Sequence, residues 1–319
     1  MSKKAIFVWV IFLSMLLIFP FLIEAPYIMH IAIMIFFYTT LGASWNILSG
    51  YAGQLNLGQS VFLGVGGYTT AILLVRFGIN PWIGMIAGVI AAVSLSWMIG
   101  FPCFRLQGRY FAIATMAIVQ IVYLVIGRWQ FAGGARGLSY PLVGWGLKNF
   151  AFREKFPYYY IAMVFMLIAI CLTYYIEKSH LGYYFKTIRE DKDVASAMGI
   201  NVLKYKMIAI TFSSFLSSIC GTFYGQYLLF IDPDTMFLLS VPIMLVTMIG
   251  GFGFLLGPLI GAAVLIPTQE VARIFWSGSG RAIDQLIYGS LIVIIVVLQP
   301  RGLMGIYDSL RNNIIKLLK

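Results

Sequence analysis

Residues 177–206 read EKSHLGYYFKTIREDKDVASAMGINVLKYK and form the one long charged stretch in an otherwise oily chain. Six basic residues (Lys178, Lys186, Arg189, Lys192, Lys204, Lys206) stand there with four acids (Glu177, Glu190, Asp191, Asp193), so the segment belongs in water. Its basic excess places it on the cytoplasmic side of a membrane. Val194, Ala195 and Met198 recur at helical spacing, while Glu190, Lys192 and Asp193 fall around the rest of the turn. That pattern predicts a short amphipathic helix ending at Gly199. Such a helix can dock in the groove of another protein.

Outward from this stretch the chain is a membrane protein by composition. It is 61% hydrophobic and 10% charged over 319 residues, where a soluble chain is roughly half apolar and about a quarter charged. Crossing the hydrocarbon takes about 20 apolar residues in a helix. Runs of nearly that size recur at 5–23, 27–48, 59–76, 81–101, 110–126, 158–176, 207–229, 238–250, 253–274 and 284–298. The fold class expected is therefore all-α: a polytopic bundle of about ten transmembrane helices, eight to ten, making one transmembrane domain over 1–319. The segments 59–76 and 238–250 are short and glycine-interrupted. Lys3 and Lys4 precede an apolar run to Ile23 that is too long for a secretory signal and has no small-residue cleavage site after it.

With both termini in the cytoplasm, ten crossings put Arg105, Arg109, the 177–206 loop and the tail with Arg301, Arg311, Lys316 and Lys319 on one side. The charge rule agrees there and disagrees at the 127–157 loop, external yet carrying Arg128, Arg136, Lys148, Arg153 and Lys155. That loop is either a docking surface or an ordinary solvated connection. The net charge of +11 favours anionic lipid headgroups over nucleic acid, for which no binding module is present. Cys103, Cys171 and Cys220 are isolated in or beside apolar runs and read as buried packing residues, not disulfides or metal ligands.

Two further stretches bear on mechanism. GYAGQLNLGQSVFLGVGGYTT, 50–70, sets Gln54, Asn56 and Gln59 among glycines, including Gly58, where a span should be uninterrupted. IGGFGFLLGPLIGAA, 249–263, interrupts a second apolar run with Gly250, Gly251, Gly253, Gly257 and Pro258. Irregular backbone at membrane depth must find partners inside the protein or line a wet cavity. Paired interrupted segments in two halves of a chain point to a translocation pathway. The glycines also suit close helix packing, and the polar side chains could either meet a zwitterion or satisfy the broken backbone.

Among ionisable groups, Glu24 and His30 are expected to be wetted near the external interface, Arg76 to snorkel, and Glu270 to pair with Arg273 three residues on. No unpaired mid-membrane acid or histidine offers a proton relay, so the energy source is expected elsewhere. The chain has no GxxxxGK[ST] loop, since Lys148 follows only GWGL, and with His30 and His180 in opposite regions no catalytic constellation stands out.

The segments 50–73, 182–206 and 249–265, in that order and spacing, resemble the LivM-type permease of branched-chain amino-acid ABC importers, with similarity from about Met34 to Gly305. GGARGL at 133–138 is similar to the external TGGxxGL of such permeases and departs from it at Ala132, where threonine is usual. The resemblance implies a subunit of the bacterial inner membrane with no cofactor of its own. It implies four kinds of surroundings: a second, LivH-like permease, two cytoplasmic ATPases that bind ATP and Mg, an extracytoplasmic binding protein, and membrane lipid. Glu190, Ala195, Ala197 and Gly199 match the EAA-type coupling loop of ABC permeases. By that reading Val194, Ala195 and Met198 seat in an ATPase groove, while Arg189, Glu190 and Asp191 set register at its rim. The pathway near 54–59 then needs only to be permissive, with Leu, Ile or Val selected by the binding protein. A permease for urea or short amides, and a stand-alone secondary carrier, are the alternatives.

Overall fold

Pro81–Cys103 buries one side of its helix, and that side carries Gly84, Gly88, Ala92, Ser96 and Gly100, a small residue every fourth position. In lipid there is no hydrophobic drive to bring helices together, so close backbone approach through small side chains has to supply the packing. The computed structural model shows this device repeated, and it describes residues 14–22, 25–106, 108–141, 144, 146–276, 289–290 and 302–305. The helices are α1 (14–22), α2 (Pro26–Trp45), α3 (Gln59–Phe77), α4 (Pro81–Cys103), α5 (Arg109–Arg128), α6 (Lys155–Lys178), α7 (His180–Glu190), α8 (Lys192–Ala197), α9 (Val202–Leu228), α10 (Pro233–Gly250) and α11 (Gly257–Trp276).

The protein is thus an all-α, multi-pass membrane bundle. Among the described residues six helices are long and apolar enough to span: α2 continued to Tyr51, α3, α4, α5, α6 and α9. The apolar part of α10, Leu238–Gly250, is shorter. The two glycine-interrupted candidates, 59–76 and 238–250, both fall within continuous helices. Nearly all of the 5–23 candidate's first half and almost the whole of 284–298 lie outside the described residues.

α2 is the central element, with 83% of its span buried, whereas α4 and α5 are peripheral at 28% each. α3 packs on α9 and α4, and α4 also packs on α9. The crossing of α3 and α9 is tight: a side chain at Gly66 would strike Ser218, and one at Gly67 would meet the Gly221 carbonyl at 2.8 Å. Hydroxyl contacts tie α9 to two neighbours, Ser44 on α2 to Ser217 and Thr70 on α3 to Thr222, each at 2.8 Å. Helix ends follow local chemistry. Pro81 starts α4 behind Asn80, whose side chain accepts from the Trp82 amide, and α3 ends on Gly78 at φ 64°.

Alternating crossings give the bundle two ends. One carries α7, α8 and the α4–α5 turn and is called the proximal end below. At the distal end, the described parts of 129–154 fold down on the helix tips: Leu138–Ser139 (β1) pairs with Phe230–Ile231 (β2), Phe150 stacks on Trp82 at 4.6 Å, and Lys155 Nζ donates to the Pro26 carbonyl at 3.1 Å. Two sequence expectations change, and two fall outside the described residues. Cys171 is exposed on the outer face of α6, while Cys103 and Cys220 are buried. His30 is half-buried rather than wetted, stacked on Tyr227 with Nδ1 2.6 Å from its hydroxyl, because α2 and α9 bring the two rings together. The expected partner of Glu270, Arg273, has its side chain outside the described residues, as is all of Glu24.

Candidate functional site

The charged stretch folds as two helices, not one. α7 runs to Glu190, the chain turns extended at Asp191 (φ −155°, ψ 118°), and α8 starts afresh. The reason is Asp191 itself: its carboxylate accepts from the amides of Asp193 at 2.8 Å and Val194 at 3.1 Å, an N-cap that ends one helix and begins the next. Gly199, at φ 81°, closes α8 in the left-handed conformation that glycine adopts freely. The expected apolar stripe also divides. Ala195 is wholly buried against the chain, whereas Val194 (53%) and Met198 (71%) are exposed, so Ala195 anchors α8 while the other two face outward. Ala197 and Glu190 are exposed as well. α7 is held beneath by Phe185 and Ile188, both buried, and by Tyr184 against Tyr205 at 4.5 Å.

The Asp191 cap makes a pH prediction. Hydrogen bonds from Val194 and Asp193, then the charge of Lys192, hold its carboxyl below the usual aspartate range. A lowered folded pKa stabilises the turn above the unfolded value, about 3.9, and that contribution vanishes as pH falls through the folded value. Hydrogen exchange at the Asp193 and Val194 amides is therefore expected to speed up, relative to Asp191→Asn, only as pH drops below about 4. Asparagine caps without titrating; equal pH profiles in the two proteins would remove the cap assignment.

Both glycine-rich breaks lie at the proximal end and touch each other. α2 leaves the α-helical path in a π-helical turn, Asn46–Tyr51, a rare form enriched at functional sites. Asn46 bridges the breaks: Nδ2 donates to the Phe254 carbonyl at 2.9 Å and Oδ1 accepts from the Gly253 amide at 2.7 Å. Gly50 lies so close that a side chain there would displace the Asn46 amide. In the second break Gly251 and Gly253 take φ 120° and 79°, Gly250 and Gly257 turn the backbone back on itself at contact distance, and Pro258 sits in the first turn of α11, where its missing amide costs nothing.

Arg189 joins these breaks to α7. Its Nη1 donates to the Gly50 carbonyl at 2.7 Å, its guanidinium lies 5.4 Å from the Phe252 ring centre, and Gly53 and Gly253 leave room for the side chain to pass. The last residue but one of α7 is thus in contact with both interrupted segments, more than a rim charge. Tyr51 adds a second tie, donating to Glu177 at 3.2 Å, and Glu177 also pairs with Lys186 at 3.2 Å.

The polar residues of the first break divide by role. Asn56 and Gln59 are buried and satisfied within the chain. Asn56 Nδ2 donates to Gln59 Oε1 at 2.9 Å, its Oδ1 accepts from the Gly58 amide at 2.8 Å, and its carbonyl accepts from Trp45 Nε1 at 2.6 Å. Gln59 Nε2 reaches the hydroxyls of Ser44, Ser213 and Ser217 at 2.8, 2.9 and 2.6 Å. Gly58 lets the chain pass the Thr115 carbonyl on α5. Gln54 is different: among the described residues its one side-chain hydrogen bond is to the neighbouring Gly53 carbonyl at 3.4 Å, and it faces a cavity. Asn46 carried the usual mark of such a residue, a lone amide at the end of an apolar run, but no spacing tied it to Gly253.

Helices that span a bilayer, two touching breaks and a charged helix pair wired to them define a transport permease. The chain belongs to the family described as branched-chain amino acid transport system / permease component, which it matches over residues 27–296. It is 26% identical to the high-affinity branched-chain amino acid transport system permease protein LivM of Salmonella typhimurium, with 89% of this chain and 71% of that protein covered. It is 22% identical to LivH of the same organism, covering 84% and 91%, and 26% identical to a probable LivH of Methanocaldococcus jannaschii, covering 79% and 83%. No solved structure gives a significant match.

Proposed function

We propose that this chain is the LivM-like membrane half of an ATP-driven importer of branched-chain amino acids. It works beside a LivH-like permease, with two ATPases on the cytoplasmic face and a binding protein on the other. The observation that carries this reading is the Arg189 link, which connects a water-exposed helix pair to both glycine breaks. Val194 and Met198 on α8 offer the ATPase its apolar contact, and Glu190 lies at the edge. Closure of the ATPases on ATP and Mg shifts α7 and α8. Because Arg189 holds the Gly50 carbonyl and the Phe252 ring, two arrangements of the breaks fit two positions of the loop, which is a coupling free energy between distant sites. The chain itself supplies the lever and half of a permissive pathway, and selection lies with the binding protein.

The test is reconstitution. Vesicles holding this chain, its permease mate, the ATPases and the binding protein are expected to accumulate leucine, isoleucine or valine only with ATP, and not urea. Accumulation by this chain alone under an ion gradient would make it a secondary carrier instead.

A further inference from the structure

A cavity of about 420 Å³ opens at the proximal end between the α4–α5 turn, α8 and the start of α9, lined by Arg105, Lys192, Lys206, Gln54, Phe104 and Leu106 among others. Its described lining holds three cations and no carboxylate. Lys206 is only 5% exposed and, among the described residues, makes neither a hydrogen bond nor an ion pair. Arg105 lies against Phe101, 5.1 Å from the ring centre, a contact that leaves its charge uncompensated. Lys192 is flanked in sequence by Asp191 and Asp193; Asp191 turns its carboxylate to the amides of its own turn, and neither acid is among the lining residues. Lys206 thus sits largely enclosed at a cavity that brings two more cations beside it with no carboxylate in its described lining, and an anion there relieves their mutual repulsion.

The same cavity adjoins the peripheral helices. Trp97, Met98 and Phe101 on α4 and Tyr110 and Ile113 on α5 present large apolar surfaces outward at this end. An amphiphile whose head enters the cavity can lay its chains along that wall. An amino-acid zwitterion fits worse, since its ammonium would enter a site with three cations and no acid. We infer that the cavity is a binding site for the phosphate headgroup of an anionic phospholipid. The inference rests on the proposed orientation only in placing that lipid in the cytoplasmic leaflet, where such lipids and basic pockets between helices meet. Lys192 belongs to α8, so the bound headgroup touches the coupling helix and stabilises its position on the bundle.

The full-length chain, delipidated in detergent, is titrated with dioleoyl-phosphatidylglycerol, dioleoyl-phosphatidylcholine or inorganic phosphate and followed by native mass spectrometry and thermal unfolding. One phosphatidylglycerol is expected to stay bound under activation that strips phosphatidylcholine, and to raise the unfolding temperature. Lys206→Met and Lys192→Gln should each weaken its retention by about fivefold or more. Lys206→Met should also unfold at a higher temperature than wild type when lipid-free, the opposite of what losing a structural lysine does. Equal retention of phosphatidylcholine, undiminished binding by Lys192→Gln, protection by inorganic phosphate as large as by the lipid, or displacement of the lipid by leucine would each overturn the proposal. Binding is read without transport, so a failed lipid titration leaves the importer reading standing, and failed uptake leaves the lipid site standing.

Discussion

Arg189→Ala is expected to lower ATP-driven uptake by roughly 5- to 150-fold, the range that a coupling energy of about 1–3 kcal/mol spans, while the protein inserts and still co-purifies with the ATPases. The guanidinium connects α7 to the two breaks, through the Gly50 carbonyl on one side and the Phe252 ring on the other. A hydrogen bond from a charged donor contributes about 1.5–3 kcal/mol, and a partly exposed cation–ring contact roughly 0.5–1 kcal/mol. In the proposed importer, removing both would leave α7 and α8 free to follow the ATPases without moving the breaks, so ATP hydrolysis is expected to continue while transport falls. Arg189→Lys should fall between, since an ammonium can reach one carbonyl but does not stack as a planar group does. Lys186→Ala serves as the control: its pair with Glu177 is surface-exposed, and such pairs contribute little. Uptake by Arg189→Ala at the wild-type rate would sever the loop from the breaks, and loss of ATPase co-purification would return Arg189 to the docking rim.

Much of this arrangement is legible in the residues before any coordinates. Hydropathy gives the helices because burial in lipid demands long apolar runs, and glycine gives the breaks because Gly53, Gly251 and Gly253 take a backbone conformation other residues resist. The meeting of the breaks is not legible. Asn46 and Gly253 are far apart in sequence and make contact only because α2 and α10 run side by side. The periodicity of 190–199 describes a helix but not which of its faces is already covered, and so Ala195 reads as exposed when it is buried. α7 was hidden for a related reason: Leu181, Phe185 and Ile188 have helical spacing, yet Lys186, Arg189 and Glu190 make the stretch read as a solvated loop. Lys206 looked like one loop cation among six, and only the fold reveals that it is enclosed.

The α3–α9 crossing carries the largest stability prediction. A Cβ built on Gly221 would collide with the Leu63 carbonyl oxygen and lie 2.9 Å from the Gly67 amide nitrogen. Both obstacles are backbone, and the helix bearing them is fixed on its other side by α4, where a Cβ built on Gly88 would lie 2.8 Å from the Gly66 carbonyl oxygen. Overpacking a core usually costs about 1–3 kcal/mol because side chains can shift; here a whole helix must move, which would also break the Gln59 contacts to Ser213 and Ser217. Gly221→Val is therefore expected to exceed that range and leave less than a tenth of the folded, monodisperse protein on detergent size exclusion. Gly221→Ala should show a smaller loss in the same direction. Gly127, near the end of α5, has nothing within 4 Å of its would-be Cβ, so Gly127→Ala is expected to be neutral or stabilising by about 0.5–1 kcal/mol. If Gly221→Val folded as well as Gly127→Ala, the close approach of α3 and α9 could not be what holds the bundle together, and the hydroxyl contacts along the seam would have to carry it.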